Sequence, residues 1–321
     1  MIDAQTSPSA SRFRRPPWPV EVVLVLLFVA GTVLAAAALA GPVDRLLQDL
    51  GWLDAAPGES TRQFLKVFRR LLLIPLVVGF LIAVRPWRDG SLQSYGLTLR
   101  GADLRSGARA WLATVAIATA LLAGHFLAGW LTWEDPLKWS KGLGRIVRWI
   151  PTGVVIAALE AWFFRGWLLR RTRRFVGAPL AVLLTSLVFG LLHVFNVRRV
   201  RAEVTHVTAG ALDALGQWMD ALVDPFAFGP ALVGLTLLAL VLTAAYLRTG
   251  TLWTSIGIHA AGVFVLKAYG GFTDRFPSWT WAGGKWLYDG PLGWAILLTA
   301  FLLLWPWGKD VDPVIRGDRR T

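Results

Sequence analysis

Three ionisable residues stand in stretches otherwise fit for hydrocarbon: Glu160 in VVIAALEAWFFRGWLL, His193 in TSLVFGLLHVFN and His259 in TSIGIHAAGV. An ionisable side chain at mid-bilayer costs from about 2.5 to more than 10 kcal/mol, so such a residue faces a protein interior or a wet cavity and counts as a functional candidate. Arg165 follows Glu160 by five residues, and only past Leu169 does the sequence turn frankly basic, with Arg170, Arg171, Arg173 and Arg174. A structural ion pair between Glu160 and Arg165 is the plain reading of that first stretch, but the two histidines supply partners that such a pair does not need. A carboxylate in a low-dielectric pocket can take a proton from water. Imidazoles beside it can position that water or donate to a developing oxyanion, and Arg165 can hold the carboxylate or anchor an anionic substrate group. This is hydrolysis of a peptide or amide bond without a covalent nucleophile. Cysteine is absent, which excludes disulfides, thiolate zinc sites and a cysteine nucleophile together.

The chemistry requires the three side chains to meet, and the spacing permits it. Gly177-Ala178-Pro179 ends one helix and starts another. Glu160 lies 17 residues before Gly177 and His193 lies 16 after it, so two antiparallel helices rising about 1.5 Å per residue carry both to one depth. His259 follows the turn at Arg248 to Thr251 by eight residues from Thr251, which sets it about 12 Å into its helix. Glu160 is ten residues from Arg170, a comparable depth. His125 and His206 have no such support and read as structural or solvated.

The elements that would carry these residues are membrane helices. The chain has 321 residues, 55% hydrophobic and 17% charged, with a mean hydropathy of +0.54, too apolar for an ordinary soluble domain. Many of its 18 Trp sit where apolar runs begin or end, as expected of rings at the headgroup level. Although the formal charge is +13, juxtamembrane Arg accounts for it, and no nucleic-acid partner is expected. The fold expected is all-α and polytopic, about eight transmembrane helices over 19–41, 64–84, 108–131, 147–169, 179–196, 229–247, 251–269 and 289–307, the second the weakest because Pro75 interrupts it. Residues 1–17 read as a polar tail. The first apolar run is longer than a signal-peptide core and reads as a retained span. Nothing divides the chain, which reads as a single integral-membrane domain, 1–321. Its one long insertion, 197–228, has apolar residues at helical spacing and reads as an interfacial amphipathic helix. An even span count puts both termini on one side, and the flanking Arg clusters place that side in the cytoplasm.

The pieces Glu160-x-x-x-x-Arg165-Gly166, Phe189-x-x-x-His193 and His259 resemble the three signature motifs of the CPBP family (CAAX protease and bacteriocin-processing, or Abi) of intramembrane endopeptidases, over a core of 144–269. The resemblance implies an all-helical, glutamate-dependent intramembrane protease of a bacterial cytoplasmic membrane. Its partners are the lipid bilayer and a membrane-anchored protein or peptide substrate, and it requires no cofactor. It implies that Glu160 activates water with help from His193 and that His259 contributes to the oxyanion site. Two positions depart from the family pattern. Ala161 stands where a second glutamate is usual, and Val263 stands where Asn or Asp is usual, four residues after His259. Asn196, Ser186 and Ser255, on the histidine-bearing faces of their helices, are the candidates to replace that amide. Other readings stay open: a non-catalytic relative that binds membrane peptides, as an immunity protein does; a divalent metal such as zinc on Glu160, His193 and His259, without the H-E-x-x-H spacing usual on helices; and a transporter, without two-half symmetry.

Overall fold

In the computed structural model the described residues are 18–52, 92–133, 139–194, 225–269, 273–275, 288–309 and, within 67–79, residues 67, 68, 70–72, 74, 75, 78 and 79. The chain divides into two compact units, one from residues 1–89 and 197–219, the other from 90–196 and 220–321. The first holds helix α1 (Trp18–Asp49) and the helical residues between 67 and 79. α1 overruns the expected end at 41, with Pro42 inside it. Asp44 and Asp49, beyond the expected end of the span, therefore belong to the helix. Asp44 is buried and accepts a hydrogen bond from Gln48 Nε2 one turn on (2.9 Å), which gives its carboxylate a local partner within the helix.

The second unit carries the candidate site. Its elements are a 3-10 turn (Leu92–Tyr95), α2 (Gly101–Leu127), strand β1 (Leu131–Trp133), α3 (Trp139–Ala161), a π-helical segment (Trp162–Leu168), α4 (Leu169–Val176), α5 (Ala178–Val194), α6 (Pro225–Thr249), α7 (Leu252–Tyr269), strand β2 (Thr273–Arg275) and α8 (Pro291–Leu304). Asp103 stands in the first turn of α2, where its charge suits the helix dipole, and Thr98 Oγ1 donates to its carboxylate. Gly177, at φ +76°, ends α4 and turns the chain into α5, and Gly250, at φ +67°, turns α6 into α7. Both lie in the left-handed region that glycine tolerates.

The all-α expectation holds, with one addition: β1 and β2 pair antiparallel as a two-stranded ribbon. Among the described residues four helices are long and apolar enough to cross a membrane, over Ala30–Asp49, Gly101–Leu127, Trp149–Val176 and Gly229–Thr249. Three shorter apolar helices accompany them, over Ala178–Val194, Leu252–Ala268 and Pro291–Leu304. Seven of the eight expected windows thus fall on apolar helices, and most of 64–84 lies outside the described residues. The described residues are predominantly helical, with apolar helices of membrane-spanning length. Of the amphipathic insertion, 197–224 lies outside the described residues, and 225–228 opens α6 instead.

α7 is the central strut, packed on α2, α3 and α6, while α6 also meets α5 and α8. Glycine allows the closest of these approaches. A Cβ on Gly257 would strike the Gly107 carbonyl oxygen, and a Cβ on Gly107 would stand 2.8 Å from the Trp253 carbonyl oxygen. Such small-residue contacts let membrane helices approach backbone to backbone. Gly257→Leu is therefore expected to force α2 off α7, two residues from His259, at a cost of roughly 1–3 kcal/mol or more. A lower unfolding midpoint in detergent is the expected readout, and an unchanged midpoint would mean the crossing is looser than drawn.

The N-terminal end of α7 is tied to the segment after the 3-10 turn. Leu252 N donates to the Gly96 carbonyl (3.0 Å), Thr251 Oγ1 donates to the same oxygen (3.2 Å), and Trp253 Nε1 donates to the Thr98 carbonyl (2.5 Å). Arg170, first of the basic cluster, is part of this junction. It is buried, its Cζ lies 4.1 Å from the centroid of the Tyr95 ring, and its Nη2 donates to the Ser94 carbonyl.

Candidate active site

Glu160 is the penultimate residue of α3, and the helix changes character just past it. Residues Trp162–Leu168 are π-helical, with the Leu169 N–H bonded to the Phe164 carbonyl five residues back. Such wide turns are rare and often mark functional sites. In a straight α-helix Glu160 and Arg165, five residues apart, would point about 140° away from each other. The extra residue taken up by each π-turn swings Arg165 back toward the face that Glu160 occupies. Nothing in the sequence pattern announces this segment beyond its crowding of Trp162, Phe163, Phe164 and Trp167.

His193 lies one residue from the end of α5, and its Nδ1 is 2.9 Å from the Phe189 carbonyl oxygen. A carbonyl only accepts, so that nitrogen carries the proton and Nε2 is left to face Glu160. Nε2 stands 3.3 Å from Glu160 Oε2, and His259 Nδ1, from α7, stands 3.7 Å from the same oxygen. Helices α3, α5 and α7 thus bring the three side chains together. Their surroundings differ: the Glu160 and His193 side chains are 24% and 30% exposed, and that of His259 is 7% exposed. Acid and first imidazole thus form the open side of the cluster and the second imidazole its back.

Arg165 is 1% exposed. Its Nη2 donates to the Ala239 carbonyl of α6 at 3.4 Å, and its Nε and Nη1 have no hydrogen-bond partner among the described residues. Its Cζ lies 4.9 Å from the centroid of Phe189 and 5.8 Å from that of Phe164. It is a buried cation flanked by two aromatic rings and within the electrostatic reach of Glu160.

Ser186 and Ser255 stand two turns before His193 on α5 and one turn before His259 on α7. Both are buried, and neither hydroxyl has a partner among the described residues. Asn196 lies outside the described residues. Among the described residues no group of three or more His, Asp and Glu stands in a metal-binding arrangement.

The departures at 161 and 263 have physical readings. Ala161 is buried in an apolar cluster with Ala157, Leu169, Ala181, Val182 and Tyr246, so a carboxylate there would be turned away from Glu160 and into a dry core. Ala161→Glu is accordingly expected to lower stability by several kcal/mol without raising any activity, because an unpaired buried charge is costly. A variant that unfolds at the same temperature as the parent would show that the cluster admits water. Val263 Cγ1 lies 3.7 Å from where a Cβ on Gly153 would stand, so the residue one turn past His259 presents methyls to the α3 backbone. At α5, Gly190 permits a close approach to α6, since a Cβ there would stand 3.2 Å from the Thr236 nitrogen.

Residues 142–265 match a family model described as type II CAAX prenyl endopeptidase Rce1-like. The match begins inside α3 and takes in the π-helical segment, α4, α5, α6 and most of α7. No curated protein and no solved structure matches the chain.

Proposed function

We propose that this chain, whose residues 142–265 match the Rce1-like family model, is an intramembrane endopeptidase of the CPBP type, a glutamate-dependent hydrolase that cuts a peptide bond in a membrane-anchored protein. One observation carries the assignment: a single carboxylate oxygen on Glu160 lies within 3.3 Å and 3.7 Å of imidazole nitrogens from two further helices. With Nδ1 of His193 committed to the Phe189 carbonyl, the Nε2 contact with Glu160 is a hydrogen bond only when one proton is shared between acid and ring. The pair therefore acts as one proton-holding unit. Glu160 accepts a proton from the attacking water, and the shared site returns a proton to the leaving amine. His259, behind the carboxylate at 3.7 Å, contributes to the oxyanion site. Arg165 supplies fixed positive charge close to where the tetrahedral intermediate becomes negative. Ser186, Ser255 and Asn196 are the auxiliary candidates, seven, four and three residues from these histidines.

The substrate proposed is a protein with a C-terminal membrane anchor or a lipidated tail, approached from the cytoplasmic side of a bacterial inner membrane, with both termini of the enzyme on that side. Neither a cofactor nor a metal is required. The test is a reconstituted assay in lipid vesicles with two fluorogenic peptides, one ending in an S-farnesylated cysteine tail and one in a single transmembrane anchor, with the products identified by mass spectrometry. Cleavage of at least one is expected, and preincubation with EDTA or 1,10-phenanthroline is expected to leave the rate unchanged. Loss of activity in chelator, restored by zinc, would replace the metal-free mechanism with a metal-assisted one.

The methyls of Val263 at a position where an amide is usual favour one other reading, a non-catalytic relative that binds membrane peptides. Binding of either peptide without turnover, equal in the parent and in Glu160→Gln, would select it.

A further inference from the structure

The proposed reaction uses Glu160, His193, His259 and Arg165, yet the residue that touches most of them is Phe189. Its ring is stacked on the His193 ring (centroids 4.0 Å apart, 22° between planes) and meets the His259 ring edge-on (5.9 Å, 69°). It also receives the Arg165 guanidinium (Cζ 4.9 Å from the centroid) and packs edge-to-face on Phe164 (4.9 Å, 71°). Its carbonyl accepts from His193 Nδ1 (2.9 Å), and its side chain is almost fully buried. Spacing explains the first contact: residues four apart on α5 lie one above the other. The remaining contacts arise because α7 and the π-helical segment both close on the same ring.

We propose that Phe189 is the positioning residue of this site, its carbonyl fixing the His193 tautomer while its ring sets the plane of both imidazoles and carries the charge of Arg165. The proposal rests on the hydrolase reading for its rate effects but not for its electrostatic ones. Aromatic faces are negative and edges positive, so a cation over the face is stabilised and a ring against the edge is oriented. Arg165, 1% exposed and with one hydrogen bond at 3.4 Å, has that face as its nearest aromatic support in place of water, alongside the charge of Glu160. An imidazolium formed at His193 during turnover, stacked on the same benzene ring, draws on it as well. Phe189 thereby couples the proton carried by His193 to the fixed charge of Arg165 without a polar atom of its own.

Two substitutions separate ring electrostatics from ring volume. Pentafluorophenylalanine at 189 keeps the shape and reverses the sign of the ring's quadrupole, while Phe189→Leu removes the ring and leaves the backbone carbonyl in place. Both are assayed in full-length protein in vesicles on the two peptides above. The expected result is a fall in kcat of about 10-fold or more for each, with KM changed less than about 3-fold. Independently of turnover, carbethoxylation of His193 by diethyl pyrocarbonate, followed by mass spectrometry at about pH 6, is expected to run about 3-fold faster or more in the fluorinated protein, because less of the ring is protonated. Parental rates of both cleavage and carbethoxylation in the fluorinated protein would overturn the proposal, since a purely space-filling ring predicts them. If the parent cuts neither peptide, the hydrolase reading fails, and the carbethoxylation rate alone still decides the role of Phe189. Should Phe189→Leu fail to fold, the isosteric fluorinated variant carries the decision.

Discussion

Glu160→Gln is expected to abolish peptide hydrolysis by a factor on the order of 10³–10⁴, the size of a general-base contribution, or about 4–5.5 kcal/mol of transition-state stabilisation at 1.36 kcal/mol per decade. The amide keeps the shape of the carboxyl group, and its carbonyl oxygen can still accept from a protonated His193, so the cluster stays assembled. It cannot take a proton from water. Because one oxygen serves both imidazoles, at 3.3 Å and 3.7 Å, geometry matters as much as charge. Glu160→Asp retains the charge but withdraws it by one methylene from both rings, and a loss of about 10²-fold is expected from misplacement alone. Initial rates on the anchored peptide in vesicles, with unfolding midpoints measured on the same samples, provide the check. A Glu160→Gln protein that still cleaves within 10-fold of the parent would remove Glu160 from the chemistry, whatever its surroundings.

The parts of this site that were legible in the sequence are those set by length and period. Nearly equal counts on either side of Gly177, 17 and 16 residues, placed Glu160 opposite His193, because helical rise is uniform and a left-handed glycine makes a sharp reversal. The apolar runs gave the helices of the core, since backbone groups in hydrocarbon have few alternatives to intrasegment hydrogen bonds. What escaped is set by side-chain packing between elements far apart in sequence. The π-helical stretch at Trp162–Leu168 keeps the hydrophobic composition of an α-helix and shifts only its phase. Phe189 is visible as the first residue of Phe-x-x-x-His, yet its contacts with Arg165 and His259 exist only once α7 and the π-helical segment have closed on it. α1 also runs past the expected end at 41, through Pro42 to Asp49, so Asp44 and Asp49 are helical.

His193 offers the second large effect and the clearest separation of roles. Its Nδ1 is committed to the Phe189 carbonyl at 2.9 Å, so only Nε2 is available to Glu160. His193→Gln places an amide nitrogen near the Nε2 position and preserves a donor to the carboxylate, but the amide cannot exchange a proton with it. His193→Ala removes both. If the ring merely orients Glu160, the glutamine variant should recover most of the rate. If the pair shares and returns a proton, both variants should lose about 10²–10³-fold in kcat, and the pH profile should change shape. A coupled pair titrates in two macroscopic steps that belong to neither residue alone, so the parent rate is expected to fall on both the acid and the alkaline side of a maximum. With His193→Gln only the carboxylate remains, and the alkaline limb assigned to loss of the shared proton should disappear while the acid limb stays. A bell-shaped profile of unchanged width in the glutamine variant would transfer the second titrating group to another residue, with His259, 3.7 Å from the same oxygen, the next to substitute.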